Sequence, residues 1–466
     1  MKKVFFLVHI STQFNVLYKI AELLNRTGKY RAIMYLDWSV HELHNPLKYC
    51  IDNKLEYILS PEGERVINSK VPEQADDIDR DNRTSAKNPL TFLRSNFVLK
   101  FFAALTFYRK KINYFHDLLQ KNKIDLVIMP DDGAENNYAV LVKAAHRLDL
   151  KVIVCPFSAL TTDGVASASV SNKSLHINTV ANWIPSLIFP EWKYSYNGVS
   201  FLRSPAHAIW AMKILGIAPA LPWMDNNGHA DAIAVDSLWN KKNLERSNPA
   251  HKLILTGGIE HDTFAKLIHN KERELSKLYA NLGITNKYPM ILCALPGVAN
   301  YLDAAKHNEE FTNGKELLVF YVKALTDLKN YNVIINFRPG AVIDDYKYLQ
   351  DYGAVFSYKS IDHLVPLSHL FVSSFSATIR MAISCGVPVM NYDVLHHDYN
   401  FYDGMKSVIT IRAKNDYNKY LHLLTEDISF YESAKREQQK IMQDYAVLDG
   451  KAEERILDLI NQFVKK

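Results

Sequence analysis

Several short clusters in this 466-residue chain combine residue types that can move a proton or hold an anion. The sharpest is Pro130-Asp131-Asp132-Gly133-Ala134-Glu135. Adjacent carboxylates, with a third one turn on, raise one another's proton affinity, so one of them can serve as a general base near neutral pH. The same residues also make a plain turn, because Asp-Asp-Gly favours one and Asp caps a helix. The second cluster is Asn336-Phe337-Arg338-Pro339-Gly340. There Arg338 can clamp a phosphate, with Pro339 fixing the turn, or can simply lie in solvent. The third, Ser373-Ser374-Phe375-Ser376-Ala377-Thr378-Ile379-Arg380, carries more hydroxyls than one helix cap needs. Ser373, Ser374, Ser376 and Thr378 can approach a phosphate, and Arg380 can pair with it.

Two further clusters carry weaker signals. Gly228-His229-Ala230-Asp231 offers Asp231 as a catalytic carboxylate. Thr256-Gly257-Gly258-Ile259-Glu260-His261-Asp262 offers Gly257 and Gly258 for close backbone approach to a nucleotide, with His261 as a proton carrier. A satisfied polar turn accounts for each of these residues equally well. There is no glycine-rich dinucleotide fingerprint, phosphate-binding P-loop, HExxH or GxSxG, so hydride transfer, kinase chemistry, zinc hydrolysis and serine hydrolysis lose support. No cluster has metal-ligand spacing, and no cofactor is called for.

Alternating strands and helices must position these groups. Val4 to Val8 is a continuous apolar run, as in a strand covered on both faces. A helical repeat follows through Phe14, Leu17, Ile20, Ala21 and Leu24, and Arg31 to Leu36 reads as the next strand. The pattern continues with a helix over 96–122, strand 125–129, helix 135–148 and strand 151–155, then strands at 232–235 and 252–255. It restarts after Lys287 with strands 290–295, 332–336, 369–372 and 387–391, helices 314–329 and 377–385, and a charged amphipathic helix over 451–464. Residues 60–95 are polar and read as a loop or insertion. This grammar predicts an α/β protein of two Rossmann-like, doubly wound domains. They run over 1–265 and 266–445, followed by a helix over 446–466, and the resemblance described below implies that the first is the acceptor side and the second binds a nucleotide sugar. A ligand is expected in the cleft between them.

Composition narrows the field. With 48% hydrophobic and 23% charged residues, the chain is neither disordered nor fibrous. A net charge of +5 suits an anionic substrate or surface but is too small for a nucleic-acid binder. The 26 tyrosines suit either core packing or sugar binding. Cys50, Cys155, Cys293 and Cys385 lie far apart, mostly in apolar runs, and are expected to be buried free thiols, which fits a reducing cytoplasm. The apolar start, Val4 to Ile10, is short, carries His9 and lacks a cleavage site, so it reads as a strand and not a signal peptide. The run from His207 to Trp223 is interrupted by Lys213, Pro219 and Pro222. It is expected to lie on a membrane surface or to be buried, not to span a bilayer.

With these clusters in place, the chain resembles the glycosyltransferases with two Rossmann domains, the GT-B fold. The run from Phe371 to Val389 is similar to the nucleotide-binding segment of bacterial transferases that build capsules and lipopolysaccharide. Asp131-Asp132-Gly133 and Ser373-Ser374 resemble, in order and placement, the acidic and serine motifs of bacterial sialyltransferases, with Arg338-Pro339 where that family has His-Pro. The related Kdo transferases share the fold. The resemblance implies a metal-independent transferase acting on a CMP-linked acidic sugar and a glycan or glycolipid acceptor. It also implies a cytoplasmic site with peripheral contact at the inner membrane. Asp131 or Asp132 would be the base of an inverting reaction, and Asp231 the nucleophile of a retaining one. Three alternatives stand beside it: a UDP-sugar transferase, an enzyme like the UDP-GlcNAc 2-epimerases, and a non-catalytic sugar-binding subunit of a polysaccharide synthase.

Overall fold

The computed structural model describes residues 1–37, 44–68, 97–134, 137–156, 162–296, 310–337, 341–374, 376–394 and 401–464. The chain divides into two compact units. The first comprises Met1–Ala234, Lys242–Ile254 and Leu457–Lys466, and the second Val235–Lys241 and Leu255–Ile456.

The first unit is built on β1 (Lys2–Val8), β2 (Tyr30–Leu36), β3 (Glu56–Leu59), β4 (Leu126–Met129), β5 (Lys151–Val154), β8 (Ala232–Val235) and β9 (Leu253–Leu255), in the order β3-β2-β1-β4-β5-β8-β9. The pairings from β3 through β8 are parallel, with Val4 opposite Ala32 on one side and Leu126 on the other. Val4 to Val8 are wholly buried, as a strand covered on both faces requires. The strand order reverses between β1 and β4, and at such a switch point doubly wound sheets open a crevice outside their carboxyl ends. A hairpin, β6 (Lys193–Tyr196) and β7 (Val199–Leu202), stands apart from the sheet. Asn197 and Gly198 turn it with positive φ angles of 48° and 76°, the two-residue turn that matches strand twist.

The second unit repeats the plan with β10 (Met290–Ala294), β11 (Asn332–Asn336), β12 (Val355–Ser357), β13 (Leu370–Ser373), β14 (Val389–Tyr392) and β15 (Val408–Ile411). The order is β12-β11-β10-β13-β14-β15, parallel throughout, with its switch point between β10 and β13. Period-two alternation divides the core. Ile291 and Cys293 face one apolar cluster with Leu317 and Tyr321, while Met290 and Leu292 face another with Phe264 and Ile379. Part of the tyrosine excess goes into the first cluster, where Tyr321, Tyr392 and Tyr417 pack with ring centroids 5.0–5.5 Å apart. All four cysteines are free and buried.

The expected strands at 4–8, 31–36, 232–235, 290–295 and 332–336 are present within a residue or two of their predicted ends. Within the segment read as a loop, Pro61–Asn68 is helical, and 69–96 lie outside the described residues. The apolar run after His207 forms the helix Ala206–Leu215, stopped by Gly216 in the left-handed region, and packs on the helix Phe97–Asn122. Among the described residues no helix is long and apolar enough to cross a membrane.

Candidate functional site

Pro130 to Gly133 leave the carboxyl end of β4, beside the switch point of the first sheet. Asp131 Oδ1 accepts the backbone N–H groups of Asp132 at 2.8 Å, Gly133 at 3.1 Å and Asn226 at 3.1 Å. Its other oxygen, Oδ2, takes no hydrogen bond from a described residue. Burial first, and then the charges of Asp132 and Asp225, raise the Asp131 carboxyl to about 7 against the pull of those N–H groups. A carboxyl poised there, with one oxygen open, suits general-base work.

Asp132 has a different task. It is 2% exposed, and its two oxygens accept Gly228 N–H at 2.9 Å and Ala230 N–H at 2.8 Å. Gly228 lies so close that a Cβ there would fall 1.9 Å from the Asp132 carbonyl oxygen. Burial raises this carboxyl too, with the two N–H groups opposing. The two aspartates thus differ in setting: both Asp132 oxygens fasten the backbone at Gly228 and Ala230, whereas Asp131 uses one. Glu135, named with them, lies outside the described residues.

Asp231 stands in a different setting. It precedes β8, at the amino end of a strand, where it accepts Lys151 Nζ at 2.7 Å, Val152 N–H at 2.9 Å and His146 Nε2 at 3.0 Å. Burial would raise it, but these partners outweigh burial and hold it down at about 2. A carboxylate so fully engaged makes a poor nucleophile.

The glycine loop after β9 is a joint for the carboxyl-terminal segment. His261 Nδ1 accepts Gly258 N–H at 3.1 Å and Val447 N–H at 3.3 Å, and the ring is 2% exposed. Asp262 caps the helix Ala452–Phe463 by accepting the N–H groups of Ala452 and Glu453, each at 2.9 Å. At Gly257, with φ +80°, an added Cβ would meet Ala452 and Arg455 at 3.3 Å. His261, Gly257 and Gly258, expected as ligand groups, here contact the carboxyl-terminal segment.

In the second unit Ser373 ends β13, beside that sheet's switch point. Its Oγ is buried with no hydrogen-bond partner among the described residues. Ser374 is half-buried just beyond it. Ser376 Oγ and Thr378 Oγ1 bond each other at 2.7 Å, and the Ser376 Oγ also accepts Thr378 N–H at 3.3 Å, so this pair closes its own helix start. Arg380 donates from Nη2 to Asp236 at 3.0 Å and lies 5.0 Å from the Trp239 ring centre. Burial alone would raise Asp236, but Arg380 foremost holds its carboxyl below the usual range. Arg380 is therefore already paired, yet its Nε is buried with no partner among the described residues. A buried polar atom left unmatched costs about 1–3 kcal/mol, and this cost is removed when a ligand supplies the missing bond. Arg338 and Pro339 lie outside the described residues.

Sequence reasoning missed one cluster. His9 follows β1 and Asp37 follows β2, and their side chains, each 2% exposed, meet at 3.1 Å. Asn137 donates to Asp37, and Gln13 joins the His9 backbone to Tyr138 through bonds of 2.9 Å and 2.7 Å. Burial dominates His9 and lowers its proton affinity, with Asp37 opposing. The available signal was a polar residue placed directly after an apolar run, Val4–Val8 before His9 and Ala32–Leu36 before Asp37. Among the described residues no group of three His, Cys, Asp or Glu side chains could hold a metal ion.

No protein-family model and no curated protein sequence matches the chain. Solved structures do match along its length. One is the UDP-GlcNAc 2-epimerase from Neisseria meningitidis bound to UDP-GlcNAc, at 13% identity and TM-score 0.53, covering 99% of this chain and 100% of that one. The glycotransferase of kitacinnamycin matches at 10% identity and TM-score 0.53, covering 99% of each chain. A variant of the wall teichoic acid polymerase TagF matches at 11% identity and TM-score 0.52, covering 99% and 88%. At such identities the likeness is one of fold, and with the two doubly wound sheets it gives the chain the GT-B fold. None of these three names a CMP-linked sugar.

Proposed function

We propose that the chain is a glycosyltransferase that moves a sugar from a nucleotide-activated donor to a hydroxyl of a growing bacterial surface polysaccharide. The observation that carries this reading is Asp131, half-buried beside a switch point, its carboxyl raised to about 7 and Oδ2 open. In the proposed step Asp131 Oδ2 takes the acceptor hydroxyl proton as the acceptor oxygen forms its bond to the anomeric carbon. The bond from that carbon to the donor phosphate breaks, and its electron pair leaves with the nucleotide. The unmatched Ser373 Oγ and Arg380 Nε are assigned to the phosphate charge. Asp231, the candidate nucleophile, is held in ion pairs, and Asp131 as a base fits an inverting reaction. The fold likeness to an epimerase solved with UDP-GlcNAc supports a UDP-linked donor ahead of a CMP-linked acidic sugar.

The same likeness favours a second reading, an epimerase or hydrolase acting on the donor alone. A thermal-shift screen of UDP, CMP and GDP with their sugars tests nucleotide binding and donor class. A rise with UDP sugars is expected, a rise confined to CMP sugars would restore the sialyl and Kdo branch, and no rise would overturn the transferase. Consumption of donor without any acceptor would select the second reading.

A further inference from the structure

Asn226 and Asn227 are neighbours in the stretch that fastens onto Asp131 and Asp132, and each is 3% exposed. Buried polar side chains are hydrogen-bonded as a rule, and Asn227 obeys it. Its Oδ1 accepts Leu221 N–H, and its Nδ2 donates to the Ser247 carbonyl. Asn226 departs from the rule. Its Oδ1 is buried with no hydrogen-bond partner among the described residues. Its backbone N–H donates to Asp131 Oδ1 at 3.1 Å, which sets the residue directly against the proposed base.

The backbone singles out the same residue. Among the described residues, the non-glycine positions with positive φ are Lys54, Lys123, Asp149, Asn197 and Asn226. The first four are exposed, at turns where water reaches their side chains. Asn226, with φ 51°, is the buried one. Glycine adopts this conformation without steric cost, so the turn itself does not call for asparagine. A buried acceptor left unmatched lowers stability, and a sparsely populated backbone conformation held by its surroundings is a mark of functional sites. Two independent departures from the most stable arrangement therefore meet at one residue, in contact with Asp131.

We infer that Asn226 is a specificity-determining residue of the first unit, its Oδ1 accepting a hydrogen bond from a second hydroxyl of the sugar whose first hydroxyl meets Asp131 Oδ2. The inference rests on the transferase reading for the role of Asp131, and it adds a substrate class: a sugar whose reacting hydroxyl has a neighbouring hydroxyl on the same ring. Adjacent hydroxyls of a pyranose lie close enough together for one ring to engage both groups. Asp131 takes the proton, while the neutral amide of Asn226 takes none and orients the ring. A sugar lacking the neighbouring hydroxyl would leave Oδ1 buried and unmatched, which is how a polar site rejects such an analogue.

Calorimetric titration of the full chain, with UDP present, tests it. The probes are the p-nitrophenyl glycosides of glucose, galactose, mannose and N-acetylglucosamine, followed by the monodeoxy forms of whichever binds tightest. In the parent protein one monodeoxy form should bind about tenfold more weakly, the worth of one neutral hydrogen bond. Asn226→Gly, which suits a positive φ, should leave the melting temperature unchanged or higher. It should bind the parent glycoside about tenfold more weakly and no longer distinguish it from that monodeoxy form. A merely structural role would not produce this cycle. The inference would be overturned by a glycine variant that discriminates as the parent does, or by a sharp fall in that variant's melting temperature. A parent indifferent to every monodeoxy form, or one that binds none of the glycosides, would overturn it equally. The expected cycle without sugar transfer from any UDP, CMP or GDP sugar would sustain Asn226 as the sugar-reading residue and remove the transferase.

Discussion

Asp131 and Asp231 belong to the same unit, and the fold drives them in opposite directions. Asp131 follows β4 at a carboxyl end and is raised to about 7, whereas Asp231 precedes β8 at an amino end and is lowered to about 2. Both are drawn out of water. Asp131 receives only backbone N–H groups, on one oxygen, with Asp132 and Asp225 adding negative charge. Asp231 receives Lys151 and His146 in addition to an N–H. The Arg203 guanidinium feels the Asp131 charge, yet burial prevails at Asp131, whereas at Asp231 the bonds from His146, Lys151 and Val152 outweigh burial.

The largest expected effect breaks the Asp131 side of this comparison. Asp131→Asn should lower turnover by about 10²–10⁴-fold, as loss of a general base does, while nucleotide-induced thermal shifts persist. In the parent protein kcat/KM should climb through about pH 7, because the base works only once deprotonated. Stability gives an independent sign. A carboxyl raised in the folded state costs stability as pH rises from its unfolded value of 3.8 through about 7. Asp131→Asn should therefore raise the melting temperature more at pH 8 than at pH 4. Equal turnover in parent and variant would remove Asp131 from the mechanism.

Next in size is Gly228→Ala, whose Cβ would fall 1.9 Å from the Asp132 carbonyl oxygen. Forced separation of the two backbones should cost about 2–3 kcal/mol in denaturant unfolding. A neutral result would show that the Asp132 clamp yields easily.

Asp231→Asn sharpens the other side. Its depressed carboxyl contributes stability above 3.8 that disappears as pH falls through about 2. The loss should be about 1–2 kcal/mol at pH 7, discounted because Lys151 is half exposed, and should narrow below about pH 4. Turnover per folded molecule should be unchanged, and a large fall would return Asp231 to the catalytic set. Smallest is His261→Ala, which removes an acceptor of two N–H groups and should cost about 1 kcal/mol. Faster amide exchange at Val447 would report it.

Legibility in the sequence followed the range of the forces involved. Strands such as β1, β8 and β11 are centred on short apolar runs, Val4–Val8, Ala232–Val235 and Val333–Ile335, which local pattern reveals. The hairpin β6–β7 escapes a sequence reading although Asn197-Gly198 is a strong turn signal, because each strand has only four residues and β7 does not alternate. Short edge strands such as β3 and β12, of four and three residues, leave too little pattern to read. Among site residues, local composition identified the Asp131 and Ser373 clusters but could not rank their members.

The sequence by itself determined two runs of parallel-strand grammar, the four buried thiols, and an acidic and a hydroxyl cluster each placed just after a strand. Only the tertiary structure decided which members of those clusters remain open. Gly228 and Ala230, which occupy Asp132, lie 96 and 98 residues along the chain, and Lys151 lies 80 residues from Asp231. Proton affinity depends on burial and on the nearest charges, and these are set by contacts that spacing along a chain does not encode.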